Sequence, residues 1–249
     1  DQFDKARATL ERVLQKDPEN PQVLYSLAQA SYQAKDVAAA QGYLKRYVEL
    51  PEAVSRENAP AYLFLSQIAE ENNRVPEAIT WLEQIQGGDL YISAVSRRAQ
   101  LTARGGDFDK ARQLIKDTTP RNQRERLALV SAEAQVLREA KRYQEAFDLL
   151  DAAVAKDPNA PDLLYDHAMA AERIDDIAVM EKSLRKLMEL RPESAHAYNA
   201  LGYTLADRGL RRHQCAELRP QRAREAIAAV DIGRERGNAL PGEGLGGIA

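Results

Sequence analysis

The chain has 249 residues, of which 44% are apolar, 29% charged and 6% aromatic, with a formal net charge of −3 and a single cysteine, Cys215. No run approaches the roughly 18 apolar residues of a membrane helix, and one cysteine excludes an internal disulfide framework. Charges of mixed sign exclude a nucleic-acid footprint, and scarce aromatics suit packed helices better than a β-sandwich.

A small residue followed four and seven positions later by others that are mostly apolar returns along the chain. In order these are Ala6/Leu10/Val13, Ala40/Leu44/Tyr47, Ala78/Leu82/Ile85, Ala111/Ile115/Thr118, Ala146/Leu150/Ala153 and Met180/Leu184/Leu187. The spacing is one face of a helix, and the anchors recur after 34, 38, 33, 35 and 34 residues. Ahead of the later anchors lies a second stripe: Leu24/Leu27/Ala28/Ser31, Tyr62/Leu65/Ser66/Ala69, Val95/Ala99/Thr102, Val130/Ala134/Leu137, Leu164/Ala168/Ala171 and Tyr198/Leu201/Gly202/Leu205. Its small central residue allows a paired helix to approach closely. Turns such as 34–36 (AKD), 104–107 (RGGD) and 140–142 (AKR) separate the two helices. Pro18, Pro158 and Pro192 close several units, because proline lacks a donor and clashes with the preceding turn. The third unit lacks such a proline, Met180 stands where an alanine is usual, and an excess within 50–60 lengthens one loop.

These features resemble the tetratricopeptide family over roughly residues 1–209. The resemblance implies an all-α fold, a right-handed α-α superhelix (TPR solenoid) of about six helix pairs, the first and last incomplete. Repeats fall at about 1–20, 21–54, 55–91, 92–126, 127–160, 161–194 and 195–209. Because Asp1 lies inside a repeat, the sequence is expected to be a piece of a longer chain. An unpaired helix at its start would expose Phe3, Leu10, Val13 and Leu14 and could support a homodimer.

The pattern stops after Gly209. Residues 208–249 hold eight Arg against five Asp/Glu, and no lysine follows Lys186. Within this tail only 221–232 could form a short helix. It reads either as a divergent cap for the last apolar face or as sequence outside the native reading frame, and no function is rested on it. Its Gly242/Gly244/Gly247 triplet lacks the following helix that a dinucleotide site needs.

No catalytic constellation emerges. His167, His196 and His213 have no metal-ligand spacing, and His167 reads as an interior imidazole on an apolar stripe. Cys215 beside His213 lacks an orienting scaffold. Glu70/Glu71 and Asp175/Asp176 are neighbours that should point apart on a helix and read as solvated helix-end charges. No cofactor and no metal are expected.

In the tetratricopeptide family the first helix of each pair lines a concave groove. Carried onto this sequence, one groove position reads Gln29, Gln67, Gln100, Gln135, then Met169 and Tyr203. Four amides in register can donate to and accept from the backbone of an extended peptide. Beside them fall Tyr25, Tyr32, Arg97, Arg104, Arg138, Tyr165, Arg173 and Asn199. The arginines are expected to make the middle of the groove cationic and to favour acidic segments. Another groove position carries Tyr25, Leu63, Ser96, Ser131, Tyr165 and Asn199, so the Lys/Asn carboxylate clamp of chaperone-binding members is not reproduced.

The function implied is a non-enzymatic scaffold or adaptor binding a protein or extended peptide, without nucleic acid and without a membrane span in this chain. The string at 195–209, AHAYNALGYTLADRG, is similar to bacterial envelope TPR lipoproteins that act as adaptors for processing proteases. That resemblance implies a protease partner and a periplasmic or outer-membrane-anchored location. Two alternatives remain: a cytoplasmic co-chaperone or assembly module, and the non-catalytic part of a larger enzyme.

Overall fold

The computed structural model describes residues 2–50 and 58–207, with side chains over 7–50 and 58–205. The tail at 210–249 lies outside the described residues, as do the side chains of Phe3 and Ala6 and most of the long loop. Among the described residues there are twelve helices and no strand: α1 Gln2–Lys16, α2 Pro21–Gln33, α3 Val37–Glu49, α4 Ala59–Glu71, α5 Val75–Glu83, α6 Tyr91–Arg104, α7 Phe108–Lys116, α8 Gln123–Glu139, α9 Tyr143–Lys156, α10 Pro161–Arg173, α11 Ile177–Leu190 and α12 Ala195–Asp207. The array divides into two compact units, Asp1–Arg142 and Tyr143–Ala249.

Helix starts follow from the sequence. Prolines at the first turn of α2, α4, α5 and α10 have no N–H to leave unsatisfied. Asn20, Asp36, Asp107, Asn122 and Asp176 cap α2, α3, α7, α8 and α11 by accepting from the N–H three residues on. First helices end by a shared device. Lys35, Asn73, Gly106, Lys141 and Asp175 take positive φ, and the residue after each donates back five positions, as Asp36 does to Ser31 O at 2.9 Å and Asp176 to Ala171 O at 2.9 Å. This left-handed cap satisfies orphan carbonyls and turns the chain sharply. Only one of these five turns uses glycine. The third unit, without its proline, ends α5 before Gly87 and Gly88, the latter at φ 79°.

In the N-terminal unit α1 packs on α2, α2 on α3, α3 on α4, α4 on α5, α5 on α6, and α6 on α7 and α8. Ala40, Ala78 and Ala111 are fully buried at the helix crossings, and Leu44, Leu82 and Ile115 fill the turn beyond them. Each buried leucine contributes about 1.5–3 kcal/mol of transfer free energy. In the C-terminal unit α10 packs on α9 and α11, and α11 on α12. Its core joins Leu164, Ala168, Met180, Leu184, Ala197, Leu201 and Leu205.

The first helix corrects one expectation. Leu14 is buried against Val23, Leu24 and Leu27, Leu10 packs on the same cluster, and Val13 is exposed. The stripe of α1 therefore runs through Leu10 and Leu14, an i, i+4 pair that packs against α2. Among the described residues no helix is long and apolar enough to cross a membrane.

Candidate functional site

The first helices of the N-terminal unit, α2, α4, α6 and α8, present the glutamines and their neighbours on one side-chain lattice. Gln29 is exposed on α2 and has no partner among the described residues. The other three amides are engaged. Gln67 Nε2 donates to Tyr32 Oη at 3.1 Å and to Glu71 Oε1 at 3.0 Å. Gln100 Oε1 accepts from Arg97 Nη1 at 3.2 Å. Gln135 accepts from Arg138 and donates to Glu139 Oε1 at 3.1 Å.

Bonds among the neighbours of these glutamines link successive first helices. Tyr32 on α2 donates to Glu71 on α4 and meets Phe64 edge-on at 5.0 Å. Arg97 on α6 grips Glu70 on α4 with two nitrogens, Nε reaching Oε1 at 2.8 Å and Nη2 reaching Oε2. Arg104 on α6 pairs with Glu139 on α8 at 3.7 Å. The hydrogen bonds from Tyr32 and then from Gln67 hold the Glu71 carboxyl below its ordinary range, so it is ionised at neutral pH. The same contact pushes the Tyr32 phenol up. Tyr25 is half-buried against Tyr47, with ring centroids 5.6 Å apart, and burial raises its phenol too.

This arrangement corrects the expected cationic groove. Arg97 faces Glu70, Arg104 faces Glu139, and Arg138 is bonded to Gln135 beside that same carboxylate. The physical reason is that each carboxylate lies one repeat away or one turn along the same helix, where composition along a single stripe does not show it. Glu70 and Glu71 are likewise more than solvated helix-end charges. Both line an open cavity of about 600 Å³ together with Leu63, Ser66, Gln67, Leu82 and Arg97. The sequence places Leu63 at a groove position but does not mark Ser66, Glu70 and Glu71 as binding groups. The signal that could have found them is the i, i+4 spacing of Leu63, Gln67 and Glu71 on one helix face.

In the C-terminal unit the equivalent face is different. Tyr165 and Met169 are half-buried against the core, while Arg173, Asn199 and Tyr203 are exposed. Thr204 Oγ1 donates to Glu172 at 3.0 Å, joining α12 to α10. A smaller cavity, about 420 Å³, is lined by Pro161, Asp162, Tyr165, Asp166, Leu187, Arg191, Ser194 and His196. Arg191 is tied to Asp162 at 2.8 Å. His167 is an interior imidazole, with Nδ1 3.0 Å from Ser183 Oγ and its ring stacked on Phe147. Asp175 and Asp176 serve the α10–α11 turn, Asp175 at positive φ and Asp176 as the α11 cap. Among the described residues no group of His, Cys, Asp and Glu could hold a metal ion.

Family models for the tetratricopeptide repeat match residues 1–51 and 96–161. A TPR repeat-containing protein of Pseudomonas aeruginosa is 31% identical over 158 residues, 64% of this chain and 27% of its own length. The chain thus spans about a quarter of that relative. A tetratricopeptide repeat protein from Parabacteroides merdae superposes with a TM-score of 0.62 at 14% identity, covering 96% of this chain and 88% of its own. The C-terminal part of a TPR repeat-containing protein from Cytophaga hutchinsonii gives 0.58 at 14% identity, covering 96% and 95%. The chain therefore carries tetratricopeptide repeats and has the all-α TPR solenoid fold.

Proposed function

We infer that these repeats form a non-enzymatic scaffold that holds an extended polypeptide along α2, α4, α6 and α8. Tetratricopeptide repeats generally mediate protein–protein interaction, and one observation carries the finer reading. Gln67 is anchored by Tyr32 of the neighbouring helix, and Gln100 and Gln135 by residues one turn along their own helices, yet the amides' bonding capacity is not exhausted. Gln29 is wholly open, the Gln67 carbonyl receives no donor from the described residues, and the Gln100 amide has no acceptor among them. Anchored groups with spare donors and acceptors lose little rotamer entropy when a peptide backbone arrives.

The similarity of 195–209 to envelope TPR lipoproteins supports a finer assignment: an adaptor in a bacterial envelope whose partner is a protease. Fractionation of cells expressing the native gene tests it, and a cytosolic product would sink it.

The groove itself is tested by selecting peptides from a random display library on this chain. Binders should weaken several-fold in a variant carrying Gln29→Ala and Gln100→Ala, since each neutral hydrogen bond is worth about 0.5–1.5 kcal/mol net. They should be indifferent to Lys45→Ala and Lys110→Ala on α3 and α7. The reverse pattern would move the ligand to the second helices and end the proposal.

A further inference from the structure

The 600 Å³ cavity spans α4, α5 and α6, and its free hydrogen-bonding groups are mostly acceptors. Both amide hydrogens of Gln67 are committed, to Tyr32 and Glu71. The Tyr32 hydroxyl proton is committed to Glu71. Arg97 spends Nε and Nη2 on Glu70 and Nη1 on Gln100, which leaves one N–H on each of Nη1 and Nη2. The acceptors are not spent. Gln67 Oε1 and Glu71 Oε2 receive no donor from the described residues, and each Glu70 oxygen keeps a second lone pair. Two carboxylates face one guanidinium, so the lining carries a net negative charge, with Lys35 acting on Glu71 only as the weakest of its influences.

Ser66 supplies a second and independent observation. At its place in the other first helices stand Ala28, Ala99, Ala134, Ala168 and Gly202. Ser66 alone in that set brings a hydroxyl. Its residue is 1% exposed, it lines the cavity, and its Oγ has no hydrogen-bond partner. An unpartnered buried hydroxyl costs free energy, and a ligand donor in the cavity would remove that cost. Leu63 and Leu82 add apolar side chains to the lining.

We propose that this cavity is the specificity pocket of the groove and that it takes a basic side chain, lysine or arginine, from the bound polypeptide. The aliphatic stem lies on Leu63 and Leu82, and the cationic head donates to Glu71, to the Gln67 carbonyl and to Ser66 Oγ. A long basic side chain has this division into apolar stem and charged, donor-only head. An acidic segment would meet like charge and a surplus of acceptors. The assignment rests on the peptide-binding reading of the first-helix face and adds the chemistry of its ligand.

The display selection decides it, using the whole chain as bait and a random library as probe. Selected peptides should share a lysine or arginine at one fixed position. Glu71→Gln removes the charge but still accepts from Tyr32, so the lattice and the fold are kept. Binding of those peptides to Glu71→Gln should fall about tenfold. Replacing the shared basic residue by norleucine should cost the wild-type chain as much and the Glu71→Gln chain much less. Peptides that respond to the Gln29/Gln100 substitutions but share no basic residue, or share an acidic one, would overturn the pocket and leave the groove standing. Basic peptides indifferent to Glu71→Gln would overturn it as well. Selection of no groove-binding peptide would overturn both.

Discussion

At the ladder position α4, α6 and α8 carry Gln67, Gln100 and Gln135, whereas α10 carries Met169 and α12 carries Tyr203. The N-terminal unit distributes its polar side chains along the outside of its first helices, where Tyr32, Glu71, Glu70, Arg97, Arg104 and Glu139 stitch one helix to the next. The C-terminal unit puts its polar device inside. His167 and Ser183 are buried between α10 and α11, and at the ladder position Met169 and Tyr203 replace the glutamines. Both units use the same turn, and both bury a small residue at their crossings except where Met180 stands. The repeat backbone therefore fixes where side chains point and leaves open whether a unit spends them on its own cohesion, on a partner, or on both.

The sharpest test of that contrast lies at the helix crossings. Met180 is fully buried where Ala40, Ala78 and Ala111 stand in the N-terminal unit. Met180→Ala should open a cavity and cost about 2–5 kcal/mol. Ala78→Met, the reciprocal change, should overpack its crossing and cost about 1–3 kcal/mol. Denaturant midpoints at constant slope read both. A near-neutral Ala78→Met would show that the crossings are interchangeable and that core volume does not distinguish the units.

Most of this scaffold is visible in the chain. Ala40, Leu44, Ala78, Leu82, Ala111, Ile115, Ala146, Leu150, Met180 and Leu184 are all buried, as their spacing predicts. One stripe was misread by a single position, through Val13 instead of Leu14, because both lie within the apolar arc of a short helix with one partner. Of the five left-handed turns, those at Lys35, Gly106 and Lys141 are legible as 34–36, 104–107 and 140–142, whereas those at Asn73 and Asp175 carry neither glycine nor lysine to mark them. The site was less legible than the fold. Its glutamines are in register and can be counted, but their partners come from elsewhere: Arg97 and Glu70 are 27 residues apart, Tyr32 and Glu71 39. No single-helix periodicity joins such pairs. The cationic groove was inferred from arginines alone, and the carboxylates that answer them appear only once the helices are stacked.

Those pairs supply the next, smaller effect. Glu70 is 14% exposed at its side chain and Arg97 42%, whereas Arg191 and Asp162 in the C-terminal unit are 47% and 83% exposed. A double-mutant cycle with Glu70→Gln and Arg97→Met should give a coupling of about 1 kcal/mol, because the carboxylate has little water to fall back on. The same cycle with Asp162→Asn and Arg191→Met should give no more than about 0.3 kcal/mol, since solvent screens both partners. Equal couplings would erase the claim that the first-helix lattice holds the N-terminal unit together.

The smallest effect tests the interior of the other unit. His167 sits on α10 with Phe147 and Asp151 on α9, and Asp176, Lys182 and Ser183 on or beside α11. Its Nε2 lies 3.3 Å from Asp151 Oδ1, within ion-pair range but poorly aligned for a hydrogen bond. Burial is the largest influence and pushes the imidazole below its ordinary 6.5; Asp151 and Asp176 pull it up, and Lys182 pushes it down. With the folded-state value depressed, the unfolded chain takes up its proton first as pH falls. Stability should therefore be full above about pH 6.5, decline as pH drops through that value, and stop declining below the folded-state value. His167→Gln keeps a hydrogen-bonding group for Ser183 and removes the titration, so subtracting its pH profile isolates this residue from His196 and His213. The expected difference is a wild-type chain that loses stability relative to the variant between neutral and mildly acidic pH. An imidazole resonance titrating below 6.5 should accompany it. If stability instead rises as the pH is lowered, the Asp151 carboxylate outweighs burial, His167 is a charged partner in the core, and the C-terminal unit is held by an ion pair much as the N-terminal unit is.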